Sequence, residues 1–208
     1  SEDGLTWTFA LRQGVLFHRD FGDFTSEDVK FHFERHLQPG GYQTSHLQMI
    51  DSVEAAEPYS VDFHLIEPFG PFLYLLANGW PNTGLIVSKR AVEQYGDDYA
   101  SHPIGTGPFM FEESIPRERK VFVANPDYYE GPPAFGRLTM LIIPDEVTGL
   151  LAVESGEADM VPLSDPEAIA RYQANPNVEV VEGESIHTVF FNMNQLFEPL
   201  SDVRVRRA

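Results

Sequence analysis

The chain has 208 residues and a formal net charge of −18, with 14 basic residues against 32 acidic ones. An acidic surface repels nucleic acid and anionic membranes, which excludes both as expected partners. Hydrophobic residues make up 42% of the chain, so a globular protein is predicted. No apolar run approaches the roughly 20 residues of a membrane span.

The two ends of the chain predict that it is a fragment. Residues 1–4 have a turn pattern that leads directly into an alternating strand over residues 5–11, without a signal peptide before it. Residues 201–208 carry a helix-start pattern and then stop. Both ends are therefore expected to lie inside a fold.

A helix is predicted after the first strand. Thr25 is followed three residues later by Asp28, which is the spacing of a capping box. Val29, Phe33 and Leu37 then fall on one face of the helix, so this face is expected to pack on the core.

The same helix carries His32 and His36, whose spacing presents two imidazoles on one face to a metal ion. A catalytic zinc motif needs a glutamate directly after the first histidine and a third ligand nearby, and the sequence offers neither. We interpret both histidines as residues at the edge of the core, and we predict no metal and no cofactor.

A β-hairpin over residues 53–65 precedes a short helix that starts at Pro71. This helix is predicted to turn Tyr74 toward the surface, together with Asn78 and Trp80 of the loop that follows. An exposed tryptophan beside polar residues is a plausible ligand platform, and burial of Trp80 in the core is the equally weighted alternative. Ser88 then caps another helix, which ends at Gly96.

The stretch HPIGTGPF, residues 102–109, has two prolines and two glycines around one threonine. This pattern predicts a rigid crossover that leads into a strand pair, with Gly105 and Gly107 in backbone conformations costly for other residues. A phosphate cradle is not expected, because Pro108 removes a backbone donor and a strand pattern follows.

The second half of the chain alternates between strand and helix patterns, which predicts an α/β arrangement with mixed sheets. Asp145 caps one predicted helix, which ends at Gly156, and Asp165 starts another. The predicted strands cover residues 138–143, 158–163, 178–181 and 186–192.

Carboxylates are plentiful in this half, and they raise the alternative of an enzyme. Each candidate sits at a predicted helix cap or turn, and no nucleophile with an adjacent base can be identified. We therefore predict that the protein is not an enzyme and has no catalytic residue. The carboxylates considered are Asp145, Glu146, Glu154, Glu157 and Asp159.

The order and spacing of these motifs resemble the extracytoplasmic solute-binding proteins of family 5, which serve peptide and nickel ABC transporters. The segments that carry the resemblance are GVLFHRDFGDFTSEDVKFHFER, HPIGTGPF, ANPDYYEGPP, IIPDEVTGLLAVESGEADM and HTVFFNMN, followed by PLSDVRVRRA. One extra residue, and Asp23 where the family usually has proline, depart from its pattern, so the turn there is expected to differ.

The resemblance implies a periplasmic-binding-protein-like α/β fold of type II, peptide-binder subclass, with mixed sheets and flanking helices. Such proteins have two lobes about a cleft, and one lobe is divided into two subdomains. By analogy, residues 1–102 are expected to form the smaller subdomain of the N-terminal lobe. Residues 103–208 are expected to form part of the ligand-facing core subdomain, with the opposite lobe missing.

The implied function is capture of a peptide or a related small solute, and its delivery to an ABC permease with its ATPase. The implied location is periplasmic or extracytoplasmic, with a membrane anchor as an option in the full-length protein. Tyr74, Asn78, Trp80 and Asn192 are the expected ligand-binding residues, Asn192 by analogy alone. A peptide-binding module with a chaperone or signalling role and, less favoured, a hydrolase remain alternatives. A fragment with half a cleft is expected to bind solute far more weakly than the intact protein.

Overall fold

A computed structural model of the chain describes residues 1, 3–38, 41, 44–77, 83–183 and 192–207. The chain divides into two compact units, Ser1–Ile143 and Pro144–Ala208. The predicted subdomain boundary after residue 102 lies within the first unit, and the assignment of residues to lobes stays a prediction. Within the part of the chain that is described, no helix is long and apolar enough to cross a membrane.

The described residues of the first unit form two antiparallel three-stranded sheets and three α-helices. The first sheet has the strand order β1-β3-β2, and the second has the order β4-β5-β6. The elements are β1 (Thr6–Ala10), α1 (Ser26–Leu37), a 3-10 helix (Thr44–His46), β2 (Ile50–Glu57), β3 (Ser60–Leu65), α2 (Phe72–Ala77), α3 (Lys89–Tyr95), a second 3-10 helix (Gly96–Ser101), β4 (Phe109–Ile115), β5 (Arg119–Ala124) and β6 (Arg137–Leu141).

The predicted capping box starts α1. The backbone N–H of Thr25 donates to the Asp28 carboxylate at 3.0 Å, and the other oxygen of this carboxylate accepts from the backbone N–H of Lys89 at 3.0 Å. One buried carboxylate therefore satisfies orphan donors at the start of both α1 and α3. Val29 and Phe33 of α1 are buried, as predicted from their shared face.

Aromatic side chains form the centre of the core between α1, α2 and the first sheet. The Phe33 and Phe63 rings meet edge to face with centroids 4.9 Å apart, and the Phe63 and Phe72 rings lie 5.5 Å apart. Burial of each such ring stabilises the fold by about 1.5–3 kcal/mol. This cluster therefore fixes how α1 and α2 pack on the sheet.

The turn that leads into α1 contains Asp23, and whether it differs from the turn of the family stays a prediction. Asp23 pairs with Leu16 in an antiparallel bridge, which closes a tight loop. Within it, Arg19, Asp20 and Gly22 have φ values of 57°, 60° and 90°. These three residues with positive φ reverse the chain sharply just after the buried His18.

His18 anchors the crossover loop over residues 102–109. Its backbone N–H donates to the Gly105 carbonyl at 2.9 Å, and its Nδ1 atom accepts from the Gly105 N–H at 3.3 Å. An Nδ1 atom that accepts leaves the proton on Nε2, which lies 2.9 Å from the Gly107 carbonyl and donates to it. The Asn125 amide donates to the same carbonyl at 3.0 Å. The crossover is thus held by two distant segments of the chain.

The expectation that Gly105 and Gly107 occupy conformations costly for other residues is wrong. Neither has a φ in the left-handed region, and a Cβ atom added to Gly107 would meet nothing within 4 Å. Hydrogen bonds to the Gly105 and Gly107 backbone fix the path of the loop. The Gly105 N–H is already used by His18, and β4 follows the loop, so the phosphate cradle finds no support either.

The second unit contains α4 (Glu146–Ser155), α5 (Pro166–Gln173) and α6 (Val203–Arg207). Asp145 caps α4 by accepting from the Thr148 N–H, and Gly156 ends this helix with a φ of 77°. Asp165 accepts from two backbone N–H groups at the start of α5. These helix signals in the sequence are confirmed.

The predicted strands over residues 158–163 and 178–181 are not formed. A strand requires a ladder of hydrogen bonds to a neighbour, and these two segments instead line a shared cavity of about 530 Å³. In the predicted strand over residues 186–192, residues 186–191 lie outside the described part of the chain.

Two alanine substitutions test which glycine of the first unit needs a backbone conformation that disfavours a side chain. Gly131 has a φ of 94°, and neither Gly131 nor Gly107 has an atom within 4 Å of an added Cβ. We expect Gly131→Ala to lower the unfolding free energy by about 1–2 kcal/mol because its φ disfavours a side chain. Gly107→Ala is the matched control and should lower it little. Urea denaturation measures both, and an equal loss in the two variants would contradict this account.

Candidate functional site

The predicted ligand platform begins on α2. The Tyr74 side chain is 65% exposed there, as the helix pattern predicted. Asn78 and Trp80 lie outside the described residues, so their placement is not tested. The structure therefore supplies one exposed aromatic side chain of the platform and the two ends of the loop that follows it.

The far end of this loop is held tightly at Thr83. This residue is fully buried, and its hydroxyl donates to the Leu75 carbonyl at 2.6 Å. Its own carbonyl lies 3.1 Å from Nε2 of His32. At the next residue, a Cβ atom on Gly84 would lie 2.1 Å from the Leu76 carbonyl oxygen, so a side chain cannot fit there. Residues 83–84 are thus fixed against α2.

The buried His32 ring supports this end of the loop in its neutral form. Nε2 donates to the Thr83 carbonyl, which leaves Nδ1 as an acceptor without a partner among the described residues. Burial, together with the smaller effect of the neighbouring His36, lowers the pKa of His32 from 6.5 to about 4. His32 is therefore uncharged at neutral pH, and its role is structural.

The described residues contain no group of three or more side chains that could hold a metal ion. The His32 and His36 rings lie 4.7 Å apart, and His32 already uses one nitrogen for the Thr83 carbonyl. Catalytic zinc needs at least three protein ligands. The hydrogen bond of the buried His32 is thus structural, and the absence of a bound metal stays a prediction.

Asn192, the fourth predicted binding residue, is exposed in the second unit. Tyr74 belongs to the first unit and Asn192 to the second, so neither unit by itself brings the two together. The predicted site stays a prediction.

Three of the carboxylates considered for catalysis are engaged in structural contacts. Glu146 accepts from the Ser164 hydroxyl at 2.7 Å and from the backbone N–H of Asp165, and these bonds lower the pKa of Glu146. Glu154 accepts from the Tyr172 hydroxyl at 2.7 Å, which lowers the pKa of Glu154. The hydrogen bonds from Thr148 lower the pKa of Asp145. A general acid needs the opposite shift.

Sequence reasoning missed an apolar cavity of about 500 Å³ in the first unit, between β1, β3, α1 and α2. Its walls include Phe9, Phe33 and Phe63, which the periodicity assigns simply to the core. Arg12, directly after the strand pattern of residues 5–11, also lines it. An arginine beside an alternating apolar strand was the available signal, and it is too common to identify a cavity.

Comparison with known proteins places these units in a family. The family model described as Bacterial extracellular solute-binding proteins, family 5 Middle, matches residues 1–208. The chain is 33% identical over 231 residues to di/tripeptide-binding protein 2 of Pseudomonas aeruginosa (strain UCBPP-PA14), aligning 100% of this chain with 43% of that protein. It is 33% identical over 211 residues to the glutathione-binding protein GsiB of Salmonella paratyphi A, with 100% of this chain and 40% of that protein aligned.

A solved structure agrees with this family match. The PBP/SBP MoaA in complex with mannopinic acid from A. tumefacien R10 is 30% identical, with a TM-score of 0.84, and the alignment covers 99% of this chain and 42% of that one. These matches confirm the predicted periplasmic-binding-protein-like α/β class. The chain spans about two fifths of the length of the proteins it matches.

The buried neutral His32 gives a testable pH dependence. Its pKa is lower in the folded state than the ordinary 6.5, so its contribution to stability is present above pH 6.5 and is lost as the pH falls toward 4. Between pH 7 and pH 5 we expect this residue to account for a loss of about 2 kcal/mol in unfolding free energy.

The measurement is urea denaturation of the wild type and of His32→Gln at both pH values. Glutamine keeps a donor for the Thr83 carbonyl and does not titrate, so the variant should lose about 2 kcal/mol less than the wild type. His46→Gln, at an exposed histidine, serves as the control. Identical pH dependence in the wild type and His32→Gln would show that His32 is not buried as a neutral group.

Proposed function

This chain belongs to the family 5 bacterial extracellular solute-binding proteins, and on that premise we propose that it is part of the substrate-binding component of an ABC importer. The component captures a peptide or a chemically related small solute outside the cytoplasm and delivers it to a membrane permease with its ATPase. The observation that carries this proposal is the family match over the whole chain.

The proposed solute class rests on the relatives. Two proteins that align with all of this chain are named for di/tripeptides and for glutathione, which is itself a peptide. A structural neighbour at 30% identity holds mannopinic acid. These solutes are small and polar and carry carboxylates, and we place the solute of this protein in the same group.

We further propose that the solute is buried in a cleft between two lobes. The family match supports this arrangement, because a cleft of this kind holds its solute by closing two lobes on it. Tyr74, Asn78, Trp80 and Asn192 are the proposed contacts. The exposure of Tyr74 and Asn192 agrees with a role in contacting a ligand, because neither is used in the core.

A binding role without catalysis is part of the proposal. The relatives named above are binding proteins by name, and three candidate carboxylates of this chain are tied to helix starts or to a neighbouring helix. A group whose pKa is lowered by such bonds stays ionised and cannot donate a proton near neutral pH.

The first test is mass spectrometry of the small molecules released by denaturing the whole protein. That solute is then titrated by calorimetry into the wild type and into Tyr74→Ala. Loss of an aromatic contact is worth about 1 kcal/mol or more, so we expect affinity to fall at least about fivefold to tenfold.

Phe135→Ala is the matched control, because it removes another exposed aromatic ring, 53% exposed, from the first unit. It should leave the solute affinity unchanged. An unchanged affinity in Tyr74→Ala, with the melting curve preserved, would remove Tyr74 from the site. Absence of any retained or titratable peptide or small solute would count against the proposed function itself.

A further inference from the structure

The cavity of about 500 Å³ in the first unit has the size and the walls of a ligand pocket. Natural pockets measure about 300–1,000 Å³ and are lined mainly by hydrophobic and aromatic side chains. Four phenylalanine rings from separate segments line this one, namely Phe9, Phe24, Phe33 and Phe63. Leu73 of α2 also lines it and is 50% exposed, so the cavity reaches the surface beside this helix.

The described lining of this cavity carries positive charge only. Arg12 is the single charged residue among the described residues that line it. Its guanidinium lies over the Tyr129 ring, 4.9 Å from the centroid, and it forms no ion pair with any residue that the structure describes. The chain has 32 acidic and 14 basic residues, so an arginine with no acidic partner among the described residues is unusual, and it is available for an external anion.

We propose that this cavity binds an aromatic carboxylate, with the ring among the phenylalanines and the carboxylate at Arg12. Aromatic rings pair favourably in edge-to-face and offset geometries, which the partly exposed Phe9 and Phe24 rings can supply above the buried Phe33 and Phe63. The planar guanidinium matches a carboxylate through two parallel hydrogen bonds. This site lies within the first unit and does not depend on the proposed interlobe cleft.

The positive charge of Arg12 disfavours a cationic ligand, and the apolar side chains that form the rest of the described lining disfavour a purely polar anion. Two other occupants compete with the proposed ligand. One is the segment of residues 78–82, since Ala77 and Gly84 on its two sides both line the cavity. The other is an apolar side chain of a second copy of the chain. Both are outcomes that the experiment distinguishes.

The test uses two probes that differ in charge alone, N-acetyl-L-phenylalanine and its neutral amide, each titrated by calorimetry into the 208-residue chain. We expect the carboxylate to bind about tenfold more tightly than the amide, because it alone forms charge-assisted hydrogen bonds with Arg12. Arg12→Gln should abolish this preference. The control is Arg90→Gln. Arg90 also lies over an aromatic ring, that of Phe21, but it does not line the cavity. This variant should therefore keep the preference for the carboxylate.

Ala77→Trp, at an exposed end of α2, should fill the cavity and weaken both probes at least tenfold with an unchanged melting curve. Equal affinities for acid and amide in the wild type would overturn the proposal without reference to any variant. So would an absence of binding, which is the result expected if residues 78–82 fill the cavity. If probe binding weakens only at concentrations at which sedimentation shows that the chain dimerises, the cavity is occupied by a second copy. This result would overturn the proposal too.

Discussion

The path of the crossover loop in the first unit depends on two hydrogen bonds to the carbonyl oxygen of Gly107. His18 reaches it from the loop before α1, and Asn125 reaches it from the turn after β5. The two donors are 107 positions apart in the chain, yet they share one acceptor. The crossover between the two sheets is therefore fixed by hydrogen bonds from both sides, while Pro108 restricts the backbone that follows.

The chemistry of His18 makes this arrangement sensitive to protonation. Its Nδ1 atom accepts from the Gly105 N–H, and a second proton on the ring would place two donors face to face. Burial lowers the pKa of His18, in agreement with a neutral ring. His32 plays a comparable part at Thr83, so two neutral histidines secure the two loops that flank α3. The candidate binding residue Tyr74 lies on α2, the helix just before the loop that ends at Thr83.

The signals that start and end helices were read correctly from the sequence, whereas contacts between distant residues were not. The capping box at Thr25 and the helix stop at Gly156 depend on residues within one turn, so the pattern suffices. The role of Gly107 depends on His18, 89 residues away, and no spacing rule reveals such a contact. The apolar runs over residues 158–163 and 178–181 have strand composition, but pairing is decided by neighbours in space. The cavity beside Arg12 was missed for the same reason.

A double-mutant cycle between His18 and Asn125 tests the shared acceptor most directly. His18→Phe and Asn125→Leu each remove a donor and approximately conserve volume, and denaturation of the two single variants and the double variant gives the coupling energy. One remaining donor still satisfies the Gly107 carbonyl, so we expect the double variant to lose about 1 kcal/mol more than the sum of the single losses. Additive losses, to within about 0.3 kcal/mol, would contradict the claim that the two side chains act through one acceptor.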